Sequence, residues 1–127
     1  MKYMRPFFVV VIAGTFVGVL SASKGLASTV SLTLVEHAES DTTTDIGKPG
    51  DSVGDILTFA NKVFDSKNEK QVGTDNGFCL RTVAGEAYEC NWTAFLADGQ
   101  ITAEGPFYDT KDSILTVTGG TASQRSH

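Results

Sequence analysis

An antiparallel all-β fold is predicted from three features of the stretch Gly54–Thr121. Apolar and polar residues alternate along it, so that one face of each segment turns inward. Gly, Asp and Asn punctuate the alternation at hairpin spacing. About six such segments follow one another, the pattern of a sandwich or a barrel.

The elements follow in order. Val30–His37 (VSLTLVEH) is a first strand. Ala38–Ser52 is rich in Thr, Asp and Gly and is expected to be a loop. It contains GKPG but no phosphate-loop motif. Asp55–Phe64 is a second strand, and Asp65–Gln71 a charged, solvated turn. Gly77–Val83 and Glu86–Leu96 are strands joined around Ala84-Gly85. Asp98-Gly99 is the strongest short hairpin signal, leading into Gln100–Phe107. Tyr108–Asp112 turns into a last strand, Ser113–Thr118.

The N-terminus has the character of a targeting segment. Lys2 and Arg5 precede a charge-free apolar run of 14 residues, Phe7 to Leu20, and Gly25-Leu26-Ala27 fits a small-x-small cleavage site. That is the form of a secretory signal peptide, residues 1–27, leaving one domain over 28–127. The run is short for a spanning helix, which takes about 20 apolar residues. The expectation is secretion, with an uncleaved membrane anchor as the alternative. After Ala27 there are seven basic and fifteen acidic residues, a net charge of −8 with His neutral. Such a surface repels nucleic acid and anionic lipid, so no nucleic-acid partner is expected. The two cysteines, Cys79 and Cys90, stand directly opposite each other about a turn centred on Ala84-Gly85. Facing positions behind a signal peptide favour a disulfide. Two Cys with His37 and His127 do not form a zinc pattern, and no metal is expected.

Several side chains are chemically notable. Glu36 shares a face with Leu32 and Leu34. It is either a strand-end surface acid or an interior acid whose pKa burial raises. Asn61 shares a face with Leu57, Phe59 and Val63, and a buried amide there must find partners, whether strand backbone or a bound water. Tyr88, Cys90, Trp92, Ala94 and Leu96 form one row, and Ile101, Ala103 and Phe107 another. Such rows are ordinarily core. Arg81, beside Cys79 and Val83, either snorkels out of a barrel mouth or pairs with a ligand carboxylate. Asn91-Trp92-Thr93 is a glycosylation sequon set in mid-strand, where it is expected to be unused. No nucleophile elbow, metal motif or catalytic triad pattern is present.

The collinear segments GDILTFANKVF, VGTDNGFC and EAYECNWTAFLADGQITAEGPFYDTKDSILTVTGGT resemble the allene oxide cyclase family, small β-barrel isomerases of oxylipin synthesis, over about half the chain. The resemblance implies an antiparallel eight-stranded barrel, of which this sequence offers about six strands. The family's Gly-Gly pair opens a longer segment and two further strands. Here Gly119-Gly120-Thr121 is followed by ASQRSH, so a C-terminally truncated barrel is expected.

The resemblance also implies site residues. Glu36 matches a family Glu by the substrate epoxide, which helps the allene oxide open. FANK matches Phe-Thr-Asn-Lys, in which the Asn (here Asn61) helps hold a water on the epoxide oxygen. Phe59, Tyr88 and Phe107 match aromatics that line the cavity, with Trp92 on the same face as Tyr88, and Cys79 in GFC matches a cavity cysteine. The sequence departs from the family pattern in several places, among them Arg81, where an apolar residue is usual. Ala38 replaces an Asn, a Ser-Pro pair has no counterpart, and Cys90 stands where a small apolar residue is usual. The implied function is cyclisation of an unstable fatty-acid allene oxide to a cyclopentenone, with no cofactor. The alternatives are a secreted dirigent-like barrel binding a small hydrophobic ligand and an inactive fragment. Plant relatives are trimers, so a homo-oligomer is implied as well.

Overall fold

The computed structural model describes residues 8–16 and 28–122, with side chains from residue 31 onward. The described residues form eight strands: β1 (Phe8–Phe16), β2 (Ser28–His37), β3 (Thr42–Thr44), β4 (Ile56–Phe64), β5 (Gln71–Val83), β6 (Ala87–Leu96), β7 (Gly99–Tyr108) and β8 (Thr116–Ala122). All pairings are antiparallel, in the order β1-β2-β4-β5-β6-β7-β8, with β3 on the first half of β4. The sheet curls into a half-barrel. Among the described residues β1 and β8 are its two ends, and no hydrogen-bonded ladder joins them.

Six of these strands coincide with the six expected ones. Two are additional. β1 falls within the apolar run assigned to a leader, and it pairs along the whole of β2 from Phe8↔Glu36 to Phe16↔Ser28. Its sequence, FVVVIAGTF, is rich in the β-branched residues that suit a strand. The rest of the leader and the cleavage site lie outside the described residues. β3 is a fully exposed run of three threonines inside the expected loop. Two boundaries also move. β5 starts at Gln71 rather than Gly77, and β8 runs from Thr116 through Gly119-Gly120 instead of ending at Thr118.

The inner face follows from the register. Across β4–β5–β6–β7 the rungs are Phe59–Gly77–Trp92–Ala103, one turn of the pleat from Asn61–Asp75–Ala94–Ile101. One apolar cluster is built on Leu34 and Val63, the other on Phe59, Cys79 and Cys90. Gly77 is required by this packing. A Cβ there would collide with the Asn91 carbonyl and sit 2.7 Å from the tip of the Phe59 ring. The missing side chain lets Phe59 lie across β5 and meet Trp92 edge-on at 4.8 Å between ring centres.

Cys79 and Cys90 pair across β5–β6 and are joined by a disulfide, both buried. The bridge closes a short hairpin loop, so its contribution is modest. Replacing both cysteines by alanine is expected to lower stability by about 2 kcal/mol. Urea denaturation of the variant against the oxidised protein measures this, and coincident midpoints would contradict it.

Candidate active site

Two polar groups interrupt the apolar inner face, one toward each end of the strands. The first is built on Glu36, Asn61 and Asp75, each no more than 5% exposed. β2 crosses β4 through only three paired residues, Val35↔Phe64, Glu36↔Val63 and His37↔Lys62. That crossing brings Glu36 onto the inner face next to Asn61. Asn61 Nδ2 donates to Glu36 Oε1 at 2.7 Å and to Asp41 Oδ1 at 3.0 Å. Its Oδ1 accepts from the backbone N–H of Glu39 at 3.1 Å and of Ser40 at 2.9 Å, and lies 2.8 Å from Ser40 Oγ. Every donor of the amide is therefore committed. Asn61 ties Glu36 to the loop after β2 and keeps no hydrogen for a bound water. The water-holding role expected for Asn61 is corrected on this geometry to one of orienting the carboxyl.

Asp75, directly across from Asn61 on β5, completes the cluster. Its Oδ1 accepts from the Asn61 backbone N–H at 3.3 Å and its Oδ2 from Trp92 Nε1 at 2.9 Å. The Glu36 and Asp75 carboxyl groups lie within hydrogen-bonding reach of each other. Burial, and then the negative charge of Asp75, push the Glu36 pKa up to about 8. Burial raises Asp75 as well. Glu36 thus holds its proton to a higher pH than an ordinary carboxyl, set in the wall of an aromatic-lined surface. The sequence reading missed Asp75. Extending the alternation of Cys79 and Arg81 back along β5 through Gly77 would have found it.

The second polar group is built on Arg81, which is 4% exposed. Its Nε and Nη2 donate to Asp51 at 2.7 and 2.9 Å, and its Nη1 and Nη2 donate to Asp109 at 2.8 Å each. The guanidinium also stacks over the Tyr88 ring at 4.1 Å. Arg81 does not snorkel into solvent. Four of its five hydrogens go to Asp51 and Asp109, so its carboxylate partners lie within the chain, in place of both the solvent and the ligand carboxylate offered as alternatives. It fastens the loop before β4 and the turn after β7 to the sheet. Asp55 folds the same loop by accepting from the N–H groups of Ile46 and Ser52 at 2.8 and 3.0 Å. A cleft of about 550 Å³ opens here, lined in part by Thr43, Asp51, Arg81 and Tyr88. It lies roughly 20 Å along β5 from Asp75, at about 3.3 Å per residue. The cleft and the buried acids are therefore separate, and the acids carry the unusual chemistry.

Between the two groups lies the aromatic row. Phe59 is buried, and Tyr88, Trp92 and Phe107 are half-buried. Trp92 sits centrally, 4.8 Å from the Phe59 ring and 6.4 Å from Phe107. Cys79 lies beneath this row, 2% exposed and bonded to Cys90 as the facing register predicts, so it reaches the cavity as a disulfide rather than as a free thiol.

The allene oxide cyclase family model matches residues 16–125 of this chain. The chain belongs to the allene oxide cyclase family. Among solved structures this family member is similar to a pyocyanin demethylase, at 31% identity, covering 73% of this chain and 78% of that one, with a TM-score of 0.64. The family match begins at residue 16, so nearly all of β1 precedes it.

Proposed function

We propose that this family member is an isomerase of the allene oxide cyclase type, acting on a small hydrophobic epoxide derived from an unsaturated fatty acid. The observation that carries the reading is a buried Glu36, held by Asn61 at one end of an aromatic row. The apolar chain lies along Phe59, Tyr88, Trp92 and Phe107, which hold it folded for ring closure by shape and orientation. Glu36 donates its proton toward the epoxide oxygen as the C–O bond breaks. The new carbon–carbon bond closes the ring, the oxygen becomes a ketone, and the proton returns to Glu36. Atoms and charge balance without a cofactor.

The likeness to pyocyanin demethylase favours a second reading. The same row would receive a small aromatic molecule of the kind named by that relative. Export is part of the proposal too. The apolar leader and a disulfide between facing strands both suit an oxidising compartment.

One experiment separates the readings. Freshly made allene oxide and, separately, pyocyanin are incubated with the protein. The expected result is an enantiomerically enriched cyclopentenone, since uncatalysed closure gives a racemate. A racemate with loss of the pyocyanin methyl group would establish the second reading, and a racemate with neither activity would overturn both and leave a binding protein.

A further inference from the structure

Glu36 Oε2 is buried and, among the described residues, accepts no hydrogen bond. An orphaned carboxylate oxygen in the interior is costly. A proton on that oxygen removes the cost, because Oε2–H can then donate to Asp75. The remaining contacts fix which acid carries the proton. Glu36 Oε1 accepts from the Asn61 amide, which marks it as the carbonyl end. Asp75 accepts from an indole N–H and a backbone N–H, groups that only donate, which marks it as the anion.

We propose that Glu36 and Asp75 share a single proton, and that Asp75, held by Trp92, is the positioning residue that keeps this proton on Glu36 Oε2. The proposal deepens the proton-donor reading of Glu36 and rests on it. Release of the proton to a substrate oxygen breaks the Oε2–H bond and leaves two adjacent carboxylates. Their repulsion draws the proton back once the product oxygen no longer holds it.

The surroundings add no compensating positive charge. Asp41, on the loop after β2, contributes a further negative charge through the shared Asn61 amide. Asn61 and Val63 of β4, and Ala94 and Ile101 on the same rung of β6 and β7, carry no charge. His37 and Lys62 follow Glu36 and Asn61 directly and so point to the other face of their strands. Arg81 is committed to Asp51 and Asp109. β1, paired with β2, has no ionisable residue in its sequence.

The chain contains one tryptophan, and its N–H is bonded to Asp75, so intrinsic fluorescence reports this pair directly. The full-length protein is titrated from pH 5 to 9, with far-UV circular dichroism confirming that it stays folded. The two acids lose their protons in separate steps, and the upper emission transition, loss of the shared proton, is expected on the alkaline side of neutrality. In Asp75→Asn the repelling charge is replaced by an amide able to donate to Glu36, so the midpoint should fall by about one pH unit or more. The pH profile of turnover should fall with it, which a merely structural Asp75 would not cause. Should that variant fail to fold, Glu36→Gln decides, because its amide can still donate to Asp75 while the upper transition, which belongs to the Glu36 proton, should disappear. A flat wild-type emission, or a midpoint unmoved by either substitution, would overturn the proposal. The outcomes also separate it from the isomerase reading. An intact titration without turnover refutes the activity and leaves the shared proton standing. A flat titration with turnover refutes the shared proton alone.

Discussion

Arg81→Met is expected to destabilise the protein by about 3 kcal/mol. The substitution keeps an apolar stem of similar length but removes a guanidinium bonded twice to Asp51 and twice to Asp109. Two carboxylates would then face each other over the Tyr88 ring with no counter-charge. Their partial exposure, 45% and 28% at the side chain, softens the loss but does not cancel it. The loop before β4 should loosen with it, because Asp51 also accepts from the Gly85 N–H at 2.6 Å. Urea denaturation gives the magnitude. Asp51→Asn and Asp109→Asn, added to Arg81→Met, should recover part of it by removing the stranded charges. A cost below about 1 kcal/mol, the scale of a surface ion pair, would show that Arg81 is not a buried fastener.

Glu36→Gln is expected to act on activity and stability in opposite directions. Turnover should fall about 100-fold or more, the ordinary contribution of a positioned proton donor. Stability should rise at alkaline pH. The sign follows from the direction of the shift. The folded protein holds the Glu36 proton up to about 8, whereas a carboxyl with the unperturbed value of 4.5 has lost it. Between those limits the folded state binds more protons than the unfolded one, so stability falls as pH rises. Asp75, also raised, contributes in the same direction. Asp51, Asp55 and Asp65 are shifted the other way by the hydrogen bonds they accept, so their contribution is lost only as the solution becomes more acid than the usual carboxylate range. Melting temperature should therefore decline from pH 5 to 8 in the wild type and be much flatter in Glu36→Gln. A parallel decline in both proteins would assign the effect to other groups.

Much of this architecture was legible in the chain because period-two alternation is local. β2, β4, β6 and β7 were evident from it, and the facing cysteines followed from the turn at Ala84-Gly85. The first half of β5 was not evident. Gly73, Asp75 and Asn76 are residue types depleted in strands, and only the paired neighbours on both sides hold them extended. The obscured stretch contained Asp75, so the cluster around Glu36 was seen only in part. β1 was hidden for a different reason, since an unbroken apolar run fits a leader as well as a strand. The partners of Arg81 lie 30 and 28 residues away in sequence, and no local pattern ties them to it. Asn61 shows the same limit in chemistry. Its place on the inner face followed from alternation, but the loop groups that saturate it did not.

The protonation state of Glu36 is the point on which the functional account depends. Carboxyl-carbon NMR of protein labelled at glutamate, assigned by the signal lost in Glu36→Gln, measures it directly. The account predicts that this one glutamate carbon titrates near pH 8, well above the ordinary carboxyl range, and that Asp75→Asn lowers its midpoint. A Glu36 signal titrating near the ordinary glutamate value of about 4.3 would contradict it.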